Sequence, residues 1–258
     1  MTQASVLLEP KDGVARVTLN RPDLLNSFDN AMFARFLGVL DEIKGDRSIR
    51  AVYLTGAGRG FCAGQDISGG VPEGSYGDHL ERHWNPVARG IRNLDIPVVC
   101  AVNGVAAGAG ANLALACDFV IAAEEASFIQ AFVNIGLVPD TAGTWAIPRL
   151  VGPARAAGLL MLGDKLPAKQ AAEWGLIWKA VPAASLESEA WALATRLASM
   201  PTLALGLTKR LINAAGANTL DQQLSLEAEL QTIAGRSSDH QEGINAFREK
   251  RKPAFKGA

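Results

Sequence analysis

The apolar and polar positions of the chain divide it into short elements from its first residues onward. Ser5 to Pro10 and Val14 to Leu19 read as two strands on either side of Lys11-Asp12-Gly13, and an Asp-Gly pair between such runs signals a tight hairpin. Asn20-Arg21-Pro22 ends the second strand. Met32, Phe33, Phe36, Leu37, Leu40 and Ile43 recur at helical spacing behind the capping pair Asp29-Asn30, and predict a helix to about Lys44. Arg50 to Thr55 is almost continuously apolar, the mark of a strand covered on both faces. Gly56 to Asp66 has no helical period. Ser68 to Tyr76 is rich in Gly and Ser and reads as a mobile surface loop, and a helix is expected from roughly Gly77 to Asn93.

After Pro97, the buried-strand run Val98 to Val102 feeds a loop of small residues, Gly104-Val105-Ala106-Ala107-Gly108-Ala109-Gly110, which opens a helix from Ala111 to Cys117. Asp118 to Ala123 and Phe128 to Phe132 read as strands. Helices are expected from Thr144 to Leu150, from Gly152-Pro153-Ala154 to Leu162, and from Pro167 to Trp174, the last closed by Gly175. Ile177 to Val181 is a final short strand, and from Leu186 the pattern is helical, punctuated by Pro201 and by the turn at Gly216 to Asn218. Strand, strand, helix, several times over, implies an α/β core with crossovers. A shift in composition near residue 200 divides this core, residues 1–200, from a C-terminal helical region, residues 201–258. In that region Leu203, Leu205, Leu207, Leu211, Ile212, Leu220, Leu224, Leu226 and Leu230 lie at helical spacing. Such helices either fold back on their own core or, burying little there, pack on a neighbouring subunit.

Charge and cysteine usage narrow the setting. A net charge of −1 lacks the clustered positive charge that nucleic acid requires, so no nucleic-acid partner is expected. Arg248, Lys250, Arg251, Lys252 and Lys256 are a local exception, either a solvated terminal face or a holder of a ligand phosphate. Cys62, Cys100 and Cys117 are widely spaced and form no CxxC pair, as expected in a reducing cytoplasm. The opening MTQASVLLEPKDG has no basic-then-apolar signal, and no apolar run approaches the ~20 residues of a membrane span.

Two glycine-rich loops carry the candidate chemistry. Gly64-Gln65-Asp66 follows Phe61-Cys62-Ala63, and Gly108-Ala109-Gly110 stands at a helix start. Loops of small residues let a backbone approach a ligand closely. Two free N–H groups aimed at one point would make an oxyanion hole; alternatively, the small residues serve only close packing. Asp140, in Val138-Pro139-Asp140-Thr141-Ala142-Gly143, is a lone carboxylate in an apolar loop. It is either a cap for the next helix or a base whose affinity for protons is raised by neighbours such as Val138, Pro139, Trp145 and Phe132.

FCAGQDI, AVNGVAAGAGANLALACD, IGLVPDTAGTW and GDKLPAKQAAEWGLIWKAV, in that order, resemble the crotonase superfamily, also called the enoyl-CoA hydratase/isomerase family. The likeness runs from TLNRPDLLNSF to the final KRKPAF. It implies an α/β spiral of repeated ββα units with a C-terminal helical region, a homotrimer or dimer of trimers, an acyl-CoA substrate and no separate cofactor or metal. It assigns the oxyanion N–H donors to Gln65 and Ala109, and the adenine and pantetheine of coenzyme A to the stretch Ala63, Gly64, Gln65, Asp66 and Ile67. The family's hydratases carry two glutamates, and at those positions this chain has Asn112 and Phe132. Neither can activate water, whereas an acid at the place of Asp140 moves the proton in the family's isomerases. One carboxylate between two carbons suffices for a 1,3-proton shift. Asn112 would bind substrate or simply begin its helix. Within the family the likeness is greatest to isomerases of phenylacetate degradation, which turn a ring-1,2-epoxyphenylacetyl-CoA into an oxepin-CoA. A Δ3,Δ2-enoyl-CoA isomerase or hydratase of fatty-acid oxidation, and a non-catalytic acyl-CoA-binding assembly subunit, are the alternatives.

Other motifs fall short. His79 and His83 in HLERH lack the glutamate placement and the third ligand of a zinc site. Gly56-Ala-Gly-Arg-Gly has not the GxGxxG spacing of a dinucleotide loop. Cys62 reads as a small packed residue.

Overall fold

The computed structural model describes residues 4–68 and 74–257. Of the surface loop expected at Ser68 to Tyr76, residues 69–73 lie outside the described residues. Strands β1 (Val6–Lys11) and β2 (Val14–Leu19) pair antiparallel across Asp12 and Gly13, whose φ angles of 51° and 79° supply the left-handed turn that a tight hairpin needs. Helix α1 (Asn30–Gly45) starts at Asp29, whose carboxylate accepts the Met32 N–H at 2.8 Å. It buries Met32, Phe33, Phe36, Val39, Leu40 and Ile43 along one stripe, as their spacing predicts. Then come β3 (Ala51–Gly56) and β4 (Gly60–Cys62). Helix α2 (Tyr76–His79) runs through a π-turn, Leu80–Trp84, into α3 (Asn85–Arg92).

The second half repeats the scheme. Strands β5 (Val98–Val102) and β6 (Val105–Ala107) precede α4 (Ala109–Leu115), and β7 (Phe119–Ala123) and β8 (Ser127–Ile129) precede α5 (Gly143–Leu162). Helix α5 breaks at Gly152 (φ 77°, ψ 166°), where the sequence separates two helices. Next are β9 (Lys165–Pro167), α6 (Ala168–Glu173) and β10 (Lys179–Val181), followed by α7 (Ala183–Ala198), α8 (Thr202–Ala215), α9 (Leu220–Gly235) and α10 (Ser238–Arg248).

One sheet has the order β1-β2-β3-β5-β7-β10, parallel after the first hairpin; the other has the order β4-β6-β8-β9. In each of the pairs β3/β4, β5/β6 and β7/β8, the first strand joins the large sheet and the second the small one. The chain is therefore a spiral of ββα turns, an α/β fold of the class expected. Two local expectations change. The small-residue loop from Gly104 to Gly110 contains strand β6, and the strand expected to reach Phe132 stops at Ile129 and gives way to a 3₁₀ turn, Ala131–Ile135. The C-terminal helices are tied to the core by polar contacts. Arg50, just before β3, donates to Thr202 Oγ1, the Met200 carbonyl and the Phe255 carbonyl, while Lys209 of α8 pairs with Asp118 at 2.8 Å. Among the described residues, α9 buries only Leu230 and leaves Leu220, Leu224 and Ile233 exposed. No helix of the described residues is long and apolar enough to cross a membrane.

Candidate active site

The small sheet brings the two glycine-rich loops together. Strand β4 ends at Cys62 and β6 at Ala107, and because the two pair in parallel, the segments that follow them emerge side by side. Gly64, with φ 88°, lies against the start of α4. A side chain there would place its first carbon 3.0 Å from the Ala107 carbonyl and 3.2 Å from the Ala109 nitrogen. Both the positive φ and the close approach require glycine. Among the described residues, neither the Gln65 N–H nor the Ala109 N–H donates to a backbone acceptor. The backbone next to them is well tied, by Asp66 N–H to the Phe28 carbonyl (2.9 Å), Phe28 N–H to the Gly64 carbonyl (2.8 Å) and Gly108 N–H to the Ile129 carbonyl (2.8 Å). Two unspent donors on neighbouring anchored loops are the makings of an oxyanion hole.

Asp140 reaches this place through Asn112, one turn of α4 beyond Ala109. Asn112 is buried, its Nδ2 donates to the Asp140 carbonyl at 2.8 Å, and its Oδ1 accepts from Gln130 Nε2 at 2.9 Å. Of the two expectations for Asn112, substrate ligand or start of its helix, the side-chain amide here engages the protein itself. Its amide is turned into the protein, because the hairpin-like return after the 3₁₀ turn lays the Asp140 backbone against it. The next residue but two, Gly143, packs so closely that a side chain would put its first carbon 2.3 Å from Asn112 Nδ2.

The Asp140 carboxylate is half-buried and accepts from the Thr141 hydroxyl at 2.7 Å. Burial pushes its pKa from 3.8 up to about 6, with the Thr141 hydroxyl pulling the other way. The side chain does not cap the next helix; α5 begins at Gly143 behind Ala142, with no side-chain cap. Thr141 and Ala142 both have positive φ (49° and 61°), and a β-branched residue in that region is strained. Of the apolar neighbours expected around Asp140, Val138 is 81% exposed and Trp145 stacks on Arg149 and Arg92 instead. Phe132 is buried with its ring at the position beside Gly108, 3.7 Å from where a side-chain carbon there would sit.

The remaining residues of the expected site divide in two. Ile67 is exposed, as a ligand-facing side chain is. Asp66 instead turns back on the protein, accepting from the Ser68 hydroxyl at 2.6 Å and pairing with Arg21 at 2.9 Å, and these partners, Ser68 first, hold its pKa below the usual value. The Cys62 thiol is buried, pushed up to about 12, and donates to the Asn26 carbonyl, so it is no nucleophile. Among the described residues no group of three His, Cys, Asp or Glu gathers as metal ligands. His79 lies instead with Trp84 on the side chain of Gln65, contacts that no sequence spacing pointed to. Gln130 and Thr141 were likewise missed, since each acts only through a neighbour brought up by the fold.

The sequence model of the family described as enoyl-CoA hydratase/isomerase matches residues 9–258. The chain belongs to the enoyl-CoA hydratase/isomerase family. It is 51% identical to the 1,2-epoxyphenylacetyl-CoA isomerase of Escherichia coli (strain K12), over 98% of each chain. It is 45% identical over the full length of both chains to a protein of Rhodobacter capsulatus described as a probable enoyl-CoA hydratase. The crystal structure of enoyl-CoA hydratase from Bacillus anthracis superposes on 98% of this chain and 100% of its own with a TM-score of 0.92 at 33% identity. The family's crotonase fold accounts for the spiral and for the placement of the two loops.

Proposed function

We propose that this chain is an isomerase of CoA thioesters whose substrate is 2-(1,2-epoxy-1,2-dihydrophenyl)acetyl-CoA and whose product is the oxepin-CoA. The observation that carries the reading is one half-buried carboxylate, Asp140, on a residue whose backbone carbonyl is held by Asn112, itself one helical turn from the unspent Ala109 N–H. By the family resemblance, Asn112 and Phe132 stand where the hydratases carry their two glutamates, and both are buried. The 51% identical relative named for that isomerisation supports the choice of substrate.

Asp140 takes a proton from the carbon next to the thioester carbonyl. The electron pair moves onto the carbonyl oxygen, where the N–H groups of Gln65 and Ala109 hold the enolate. Asp140, now protonated, returns the proton two carbons further on, and the double bond comes to rest beside the carbonyl. For the ring epoxide, electrocyclic opening to the oxepin precedes this 1,3-shift. Atoms and electrons balance within the substrate, so the reading names no cofactor beyond the coenzyme A that the substrate carries. A pKa near 6 leaves the carboxylate ionised at neutral pH yet basic enough to act. The reading includes a homotrimer or a dimer of trimers, supported by the exposed apolar residues of α8 and α9, Ile212, Leu220 and Leu224.

The test is to supply purified protein with the ring epoxide and with a straight-chain β,γ-enoyl-CoA, and to follow isomerisation and hydration separately. Isomerisation of the ring substrate with no hydration is expected. Efficient hydration without isomerisation would overturn the reading, and turnover confined to the straight-chain substrate would reassign the acyl group.

A further inference from the structure

Gln65 differs from the small residues around it in having a side chain, and that side chain is fully engaged. Its Oε1 accepts from Trp84 Nε1 at 3.1 Å and lies 2.9 Å from His79 Nε2, while its Nε2 donates to the carbonyls of Phe28 (3.2 Å) and Asp66 (3.3 Å). An indole N–H is only ever a donor, so the atom it meets is the amide oxygen. His79 must then carry its proton on Nε2, and both aromatic residues donate to one carbonyl.

His79 and Trp84 are five residues apart. In an α-helix such residues point about 140° apart around the axis and could not meet one atom. Between them, however, the helix makes the π-turn Leu80–Trp84, closed by the Asn85 N–H on the Leu80 carbonyl. A π-turn, with its i→i+5 bonding, stacks residues five apart on one face. Packing holds the turn. Trp84 is buried against Phe28 and edge-on to Phe33 at 4.9 Å, and His83 lies against Phe33 at 4.8 Å.

We propose that His79 and Trp84 are positioning residues that clamp the Gln65 amide, and through it fix the direction of the Gln65 backbone N–H, with the π-turn as the device that aims both donors. The inference rests on the reading of that N–H as an oxyanion donor, and on nothing else in the proposed reaction. Because the donor is needed most where charge develops, loosening the clamp acts on kcat more than on KM.

The experiment compares Trp84→Phe, His79→Leu and His79→Gln, each alone and combined with Gln65→Ala, in isomerase kinetics and in amide exchange of the Asp66 N–H by NMR. Trp84→Phe keeps the packed ring and loses only the donor; His79→Gln keeps a donor at similar reach. Loss of one such hydrogen bond should lower kcat roughly three- to tenfold, with KM within about twofold, in Trp84→Phe and His79→Leu. His79→Gln should restore it, and neither loss should recur in the Gln65→Ala background. Asp66 N–H exchange should quicken in both loss-of-donor variants. Losses that persist undiminished beside Gln65→Ala, or that fall on KM, overturn the clamp. If the wild-type protein turns over no acyl-CoA, the proposed function fails on its own, and the clamp is judged by Asp66 exchange, with unchanged exchange counting against it.

Discussion

A carboxylate pushed up to about 6 by burial makes two commitments at the residue scale, one in rate and one in stability. Asp140→Asn keeps the shape and removes the base, so kcat should fall roughly 10²–10⁴-fold while KM stays within a few-fold. Residual turnover would come from the backbone donors. In the wild type, kcat/KM should rise with pH through about 6 and level off above it, since only the ionised form accepts the proton. The stability consequence has the opposite sign to that of a paired carboxylate. Folding raises this pKa from 3.8, so the folded chain binds the proton more tightly than the unfolded one. Stability lost to the ionised group is therefore absent below 3.8, grows between 3.8 and 6, and is constant above. Asp140→Asn should melt higher than the wild type at pH 8, and the gap should close toward pH 4. A helix cap would instead tolerate Asn, itself a favoured cap, and lose about 1 kcal/mol only in Asp140→Ala. Asn112→Ala belongs beside it. With the Asp140 carbonyl and the Gln130 amide left unpaired, the expected loss is about 1–3 kcal/mol in denaturant unfolding. The fall in kcat should be smaller than for Asp140→Asn.

Among the elements, the junction of α4 with the start of α5 decides where the base stands. Gly143 and Asn112 touch so closely that Gly143→Ala must move one of them. An overpacked junction of this kind costs about 1–3 kcal/mol. A shift of about 1 Å in the carboxylate can cost 10²-fold in rate. Gly143→Ala should therefore lose activity out of proportion to its drop in melting temperature. Gly158→Ala in the same helix, where nothing lies within reach of the added carbon, is the control and should change neither by much. Equal behaviour of the two variants would mean that the Asn112–Gly143 contact does not set the geometry.

Assembly is the question for the whole molecule. The isolated chain exposes Met161, Leu162, Trp178, Ile212, Leu220 and Leu224, apolar residues on α5, α8, α9 and the approach to β10. A surface of this kind is unusual unless covered. Light scattering at micromolar concentration should give a trimer or twice that mass. Ile212→Asp combined with Leu224→Asp should shift the population toward monomer while leaving the circular dichroism of the fold in place. A wild-type monomer would count against the assembly, and the C-terminal helices would then serve only the core they are tied to through Arg50 and Lys209.

Much of this protein was legible in its sequence wherever the determining interaction is local. The Asp12-Gly13 turn, the Asp29 cap and the apolar stripe of α1 each depend on residues within a few positions of one another, and all were found where the pattern put them. The break in α5 at Gly152 is of the same kind. Motif order named the family, because the loops' small residues must recur at matching places. Tertiary structure decided the rest. Strands β4, β6 and β9 are three residues each, too short to show a period, and are set by their pairing in the small sheet. The π-turn answers to Phe28, Phe33 and Gln65, none of them in its helix. The partners of Asn112 were illegible for the same reason. Its amide is equally able to face a substrate or a carbonyl, and only the return of the chain past residue 140 placed a carbonyl within its reach.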